Sequence, residues 1–280
     1  MFPGATTDRE AASYVVVGAP LDATTTFQPG TRFGPDRIRR FSETYDDYDR
    51  RTDSRFSALG VHDAGDVSPW DDVEAYLDHL AAELRSVGYD DAVPLLVGGE
   101  HTVTYAGVEA VDPDALVVCD AHLDLRDAYD GNPWNHACVT RRCLDDLGVD
   151  RAVIVGARTG SEAEWDRASD ADVEVVAPEH AREWIDGLAS DEGDDPFAGE
   201  SVYCSIDIDG LDPGFAPGTG TMEPFGLDPR EARDLVRAVA PRAEGFDVVE
   251  VNDRDDGQAA AAAGKLLREF VRTHAAARED

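Results

Sequence analysis

Asp120, His122 and Asp124 lie in the stretch DAHLD, directly after an apolar run, ALVVC. Side chains alternate in direction along an extended segment, so these three point the same way and each can bind a cation. Asp207 and Asp209 in SIDID share a direction for the same reason. His101 follows a Gly-Gly pair that lets the backbone turn tightly toward the next helix. Two imidazoles and four carboxylates are therefore candidate ligands. So many carboxylates around one point repel and raise one another's pKa unless cations sit among them. One divalent ion rarely needs this set, whereas two ions sharing bridging carboxylates do. Oxygen-rich, thiolate-free ligation suits Mn²⁺ better than structural Zn²⁺, with Co²⁺, Ni²⁺ or Zn²⁺ as alternatives. Two metals ~3.5–4 Å apart can bind one water between them and lower its pKa toward neutrality, which is hydrolase machinery. Either motif alone is a weak signal in a chain this rich in aspartate; together they carry the argument.

Something must bring these clusters together. Short apolar runs recur at 14–18, 58–65, 94–99, 115–122, 152–158, 173–177, 201–209 and 246–252, with amphipathic stretches such as 73–88, 228–240 and 257–277 between them. Continuous apolar strands alternating with helices predict an α/β fold with a parallel sheet of seven or eight strands, covered on both faces. Ligands in such sheets bind at the carboxyl ends of strands. GGEH (98–101), DAHLD, SIDIDGLDP (205–213) and EVND (250–253) all follow strand-like runs, so they are expected to meet on one rim. No linker or internal repeat divides the chain. The acidic stretch 190–196 reads as a surface loop, and AAAAA (259–263) as helix. One domain over residues 1–280 is expected.

Charge narrows the setting. The chain carries 59 acidic against 25 basic side chains, a formal net charge of -34, and Lys265 is its only lysine. No basic stripe is present, so nucleic acid is not an expected partner. A disordered acidic chain would lack apolar strands, yet 42% of these residues are hydrophobic. A carboxylate-covered surface repels itself unless salt screens it, which predicts a halophile's cytoplasmic protein. Dialysis into ~10 mM salt is expected to cost it structure, and an unchanged circular dichroism spectrum there would contradict the reading. Cys119, Cys138, Cys143 and Cys204 form no CxxC pair and read as reduced, buried thiols. The opening MFPGATTDRE lacks a signal-peptide pattern. No apolar run approaches the ~20 residues of a membrane span.

GGEH, DAHLD, SIDID-GLDP-FAPGTGT and VVEVN resemble the signature set of the arginase/agmatinase ureohydrolase family. The segment 18–39, with its PG-RFGP run, resembles the agmatinase-type N-terminal part, and the resemblance spans roughly residues 14 to 270. It implies a three-layer α/β/α domain with eight parallel strands and two Mn²⁺ per subunit. It makes His101, Asp120, Asp124 and Asp207 ligands of one ion, and Asp120, His122, Asp207 and Asp209 ligands of the other. Asp124 would also accept a proton from the water, His136 in WNHACV would pass one to the departing amine, and Glu250 would pair with the substrate guanidinium. These roles suit the chemistry. A guanidinium carbon is a poor electrophile and needs a strong nucleophile, a carboxylate to hold the planar cation, and protonation of the leaving amine.

The implied reaction is agmatine plus water giving putrescine plus urea, in a trimer or hexamer. Related alternatives are N1-aminopropylagmatine ureohydrolase, guanidinobutyrase and formimidoylglutamase; a catalytically silent partner subunit is the alternative of a different class. Several residues depart from the family pattern. Glu100 replaces the commoner aspartate, with little effect expected, and Asp253 stands where a proline often follows EVN. Met222 and Phe225 are placed to reshape a pocket wall. Arg126 occupies a position where arginases carry an asparagine that reads the substrate carboxylate; it argues against arginine, and either favours a carboxylate tail or pairs with Asp127 or Asp130. Arg158 is expected to pair with an acidic neighbour. Trp134 and Phe215 are candidates for the mouth, while His62, His79, His180 and His274 have no metal-like spacing.

Overall fold

A computed structural model describes residues 1–190 and 195–279, so residues 191–194 of the acidic stretch lie outside the described residues. Its strands are β1 (Tyr14–Ala19), β2 (Tyr48–Asp49), β3 (Ser54–Arg55), β4 (Val61–Asp66), β5 (Val93–Gly98), β6 (Ala115–Cys119), β7 (Arg151–Val155), β8 (Val173–Val176), β9 (Val202–Asp207) and β10 (Ala243–Val249). Every apolar run named from sequence became a strand of one eight-stranded sheet, in the order β4-β1-β5-β10-β9-β6-β7-β8. All its pairings are parallel. The short antiparallel pair β2–β3 lies apart from it.

Parallel strands need crossovers, and helices supply them. They are α1 (Gly34–Ser42), α2 (Val73–Tyr89), α3 (Thr104–Val111), α4 (Val139–Asp146), α5 (Glu162–Arg167), α6 (Pro178–Leu188), α7 (Pro229–Val239) and α8 (Gln258–Glu279). The period of two along each strand feeds two faces. Val15 and Val17 pack with Leu77, Leu80 and Leu84 of α2, whereas Tyr14 and Val16 join the core formed with Ile38 of α1 and Phe270 of α8. Leu116 and Val118 likewise meet Val139 and Cys143 of α4, while Val117 and Cys119 face the α7 and α8 side. Three layers result, with the sheet in the middle. Each fully buried aliphatic chain contributes about 1.5–3 kcal/mol.

Local signals explain where helices begin. Asp72 caps α2 by accepting the Ala75 N–H at 3.1 Å. Asp228 and Glu231 form a reciprocal capping box on α7, with Pro229 at its first position. The alanine run at 259–263 is helical, and Ala259, Ala260 and Ala263 are buried. All four cysteines are free and buried, as expected. Among the described residues no helix is long and apolar enough to cross a membrane.

α8 also holds a buried titratable group. His274 Nδ1 lies 2.8 Å from the Tyr14 hydroxyl, and burial followed by Arg278 lowers its pKa from 6.5 to about 4. Between those values the unfolded chain binds the extra proton, so stability falls as pH drops through that window. Denaturant midpoints measured in high salt are expected to fall more steeply from pH 7 to about 4.5 in the unaltered protein than in His274→Gln. Equal slopes would refute the assignment.

Candidate active site

The four clusters follow β5, β10, β9 and β6, which are consecutive in the sheet. Register brings them level. Cys119 pairs with Ile206, and Val249 with Asp207, so the next residues, Asp120 and Glu250, emerge beside Asp207 at the carboxyl edge. Asp124, in the loop five residues beyond β6, and Glu250, directly after β10, have φ of +51° and +60°, a left-handed conformation unusual for residues with a side chain. The Gly-Gly pair matters for a different reason than expected. Neither glycine has a positive φ; a Cβ on Gly99 would sit 1.9 Å from the Leu21 carbonyl oxygen. Close passage of the 19–22 strap forces glycine there.

All six candidate ligands converge. His101 Nδ1 faces three carboxylate oxygens: Asp124 Oδ2 at 2.9 Å, Asp120 Oδ2 at 3.0 Å and Asp207 Oδ2 at 3.5 Å. His122 Nδ1 lies 3.1 Å from Asp209 Oδ2 and 3.5 Å from Asp120 Oδ1. Two triads can each hold a cation, His101–Asp120–Asp124 and Asp120–His122–Asp209, with Asp120 shared. Asp207 belongs to neither triad, though it stands beside both: its Oδ1 accepts the Asp209 N–H at 2.8 Å.

Electrostatics ask for positive charge here. Burial, then Asp120, pushes the Asp124 carboxyl up to about 6. Burial, then Asp209 and Asp120, raises Asp207 well above the carboxylate range. Burial works against protonated His122, yet Asp209 and Asp120 outweigh it and drive the imidazole up to about 12. Carboxylates that hold protons beside imidazoles that cling to theirs mark a cluster short of cations. A mixed oxygen and nitrogen donor set without thiolate fits divalent metals of the Mn²⁺ type.

His101 is oriented from behind. Its Nε2 lies 3.2 Å from Ser205 Oγ, and that hydroxyl donates to Asp247 Oδ1 at 2.6 Å. An imidazole donating Nε2–H keeps its Nδ1 lone pair for a metal. Sequence reading missed Ser205 and Asp247. A serine two residues before Asp207 shares its face of the strand, and that was the available signal.

His136 and Glu250 form the second half of the site. Glu250 Oε1 accepts the His101 main-chain N–H at 2.9 Å and lies 3.0 Å from His136 Nδ1. Its Oε2 is buried with no hydrogen-bond partner among the described residues. Arg254, four residues on and a possible ion-pair partner by sequence, donates instead to the Pro29 carbonyl. His136 Nε2 accepts the Thr26 N–H at 3.1 Å, so the Nδ1 proton faces Glu250. Burial opposes its charge, but Glu250 prevails and brings the pKa to about 9.

Glu100 has more to do than its position suggested. It is fully buried and accepts from Thr24 N at 2.8 Å, Thr24 Oγ1 at 2.7 Å and Thr25 Oγ1 at 3.2 Å. Thr24 in turn takes the His136 N–H on Oγ1 and the Asn135 amide on its carbonyl. Glu100 thus anchors the loop that meets His136. The threonine run 24–26 was the overlooked clue.

A cavity of about 270 Å³ opens above the cluster, with His122, Asp124, Asp207 and Asp209 below and Thr26, Arg126, Tyr129, His136 and Glu164 around it; Glu250, buried beside His136, does not itself line it. Arg126 pairs with Glu164 at 3.2 Å, in place of Asp127 or Asp130, because the start of α5 reaches across to it. Arg158 makes no acidic pair either and donates to main-chain carbonyls. Met222, Phe225 and Phe215 are exposed, and Trp134 packs on Tyr105; none lines the cavity. His62, His79, His180 and His274 lie outside the cluster.

Comparison with known proteins agrees with this geometry. The Arginase family pattern matches residues 12–272. The chain is 38% identical to an agmatinase of Pyrococcus horikoshii over 270 residues, 94% of this chain and 92% of that one. It is also 38% identical to an N(1)-aminopropylagmatine ureohydrolase of Thermococcus kodakarensis, covering 92% of this chain and 89% of the other. The crystal structure of the agmatine ureohydrolase of Thermoplasma volcanium superposes with a TM-score of 0.90 at 34% identity, over 99% of this chain and 95% of that one. With the motifs, the eight-stranded sheet and the shared rim all in agreement, the chain belongs to the arginase family.

Proposed function

We propose that the chain hydrolyses agmatine to putrescine and urea, acting on a C–N bond of a linear amidine at a centre of two Mn²⁺ ions. The observation that carries this reading is the second carboxylate oxygen of Glu250, buried and unpaired beside His136, next to two acidic triads. A buried unpaired carboxylate oxygen awaits a cationic donor, and a planar guanidinium supplies one. His101, Asp120, Asp124 and Asp207 would hold one ion, and Asp120, His122, Asp207 and Asp209 the other. When bound, the two cations supply Lewis acidity that makes a water nucleophilic near neutral pH. Asp124 is then the proton acceptor, and Glu250 fixes the guanidinium plane. His136, kept protonated near neutral pH by Glu250, delivers a proton to the departing amine and returns to neutral imidazole.

The tail is read at the mouth. Glu164 pairs with Arg126, the one arginine among the described residues lining the cavity, which supports the amine tail of agmatine or N1-aminopropylagmatine. Arg126 on the cavity wall supports the second reading, a carboxylate-tailed substrate such as that of a guanidinobutyrase or formimidoylglutamase. Urea and amine release over this panel, in high salt with Mn²⁺ restored to metal-stripped protein, separates the two. Agmatine turnover well above guanidinobutyrate turnover is expected, and the reverse order would overturn the choice.

We take the chain to be one domain over 1–280, cytoplasmic, salt-adapted, and a trimer or hexamer of identical subunits. Sedimentation in high salt tests the assembly. A catalytically silent partner subunit is the rival class; the intact set of six candidate ligands speaks against it, and turnover by the purified chain alone decides.

A further inference from the structure

We infer that Arg158 is a positioning residue that holds the His122–Asp209 half of the centre together by pinning the loop after β9 to the end of β7. Its guanidinium donates to five main-chain carbonyls: Gly156 at 2.8 Å, Asp209 at 2.9 Å, Gly210 at 3.2 Å, Glu223 at 2.7 Å and Pro224 at 3.1 Å. A guanidinium has five N–H groups in a fixed fork, so this site uses its shape as well as its charge. The main-chain N–H of Arg158 donates to the Ala121 carbonyl at 2.9 Å. One residue therefore ties the segment carrying Asp120 and His122 to the segment carrying Asp209.

The loop is shaped around this side chain. A Cβ on Gly226 would lie 2.6 Å from Arg158 Nη2 and 2.7 Å from the Gly210 carbonyl oxygen, so glycine leaves room for the guanidinium. The same loop brings Thr221, whose hydroxyl donates to Asp209 Oδ2 at 3.1 Å. All five N–H groups of Arg158 are taken by main-chain carbonyls, so it acts through Asp209 and not on substrate. Without it the carbonyls of the loop lose their common donor, and the Asp209 carboxylate is free to drift from His122 Nδ1, now 3.1 Å away.

This inference rests on the reading that Asp120, His122 and Asp209 hold a cation. Calorimetric titration of Mn²⁺ into metal-stripped protein in high salt tests it, with His122→Asn as the reference for loss of that ion. The unaltered chain is expected to bind two ions. Arg158→Met is expected to resemble His122→Asn, weakening one ion by about ten- to a hundredfold while leaving the other near its original affinity. Arg158→Lys, with fewer donors, should recover part of the loss, and Arg158→Gln, shorter and with a single amide donor group, should recover less. These two carry the comparison if Arg158→Met does not fold. Two ions bound with unchanged affinity in the Arg158 variants would overturn the positioning role alone, as would equal weakening of both ions. A single ion in the unaltered chain would overturn the two-ion reading and this role with it.

Discussion

Asp124→Asn is expected to lower kcat for agmatine by roughly 10²–10⁴-fold, the range lost when a positioned proton acceptor is removed. The substitution keeps the size and planarity of the side chain and removes its ability to take a proton. Asp124 is buried at the cavity floor, and its Oδ2 lies 2.9 Å from His101 Nδ1. Without cations, burial and Asp120 raise its carboxyl to about 6; bound cations would lower it, leaving an ionised carboxylate as the acceptor. An amide is also a poorer metal ligand, so Mn²⁺ content must be measured beside turnover. A drop in kcat at full metal occupancy isolates the proton role, whereas a drop that tracks lost metal reports ligation alone. Retention of full kcat with two ions bound would remove Asp124 from the chemistry.

Glu250→Gln acts on substrate capture. Breaking a buried, hydrogen-bonded charge pair by neutralising one partner costs about 3–5 kcal/mol. That corresponds to a fall in kcat/KM of about two to nearly four orders of magnitude. Glutamine can still accept the His101 N–H and face His136, so the local scaffold survives; what disappears is the negative charge, which faces the substrate and also holds the His136 pKa up. The loss should therefore appear for every guanidino substrate whatever its tail. Unchanged kcat/KM across such a series would show that the guanidinium binds elsewhere.

The parts of this fold legible in sequence were those whose physics is local. A run such as ALVVC needs no partner to declare a buried strand, and a carboxylate beyond its end declares a rim. The six candidate ligands could be read because each sits in a short motif beyond its strand, whereas His136 and Glu250 were implied only by the family resemblance. The partners of Arg158 and Arg126 were misread, and the contacts of Glu100 were missed, for one reason: those partners lie far along the chain. Arg158 reaches carbonyls as far on as Pro224, Arg126 meets Glu164, and Glu100 holds Thr24 and Thr25. In a chain with 59 acidic residues, an arginine's nearest aspartate in sequence says little about its partner in space. Main-chain carbonyls as acceptors leave no mark in sequence at all.

The strand order bears on how the molecule is made. β10 is the last of the described strands along the chain, yet it sits between β5 and β9 in the middle of the sheet. A nascent chain still lacking residues 243–249 carries two unpaired edges facing each other and has no Glu250. Pairings this distant in sequence close late and slowly, and exposed edges invite association in the interval. Synthesis must therefore pass residue 250 before the reactive rim exists.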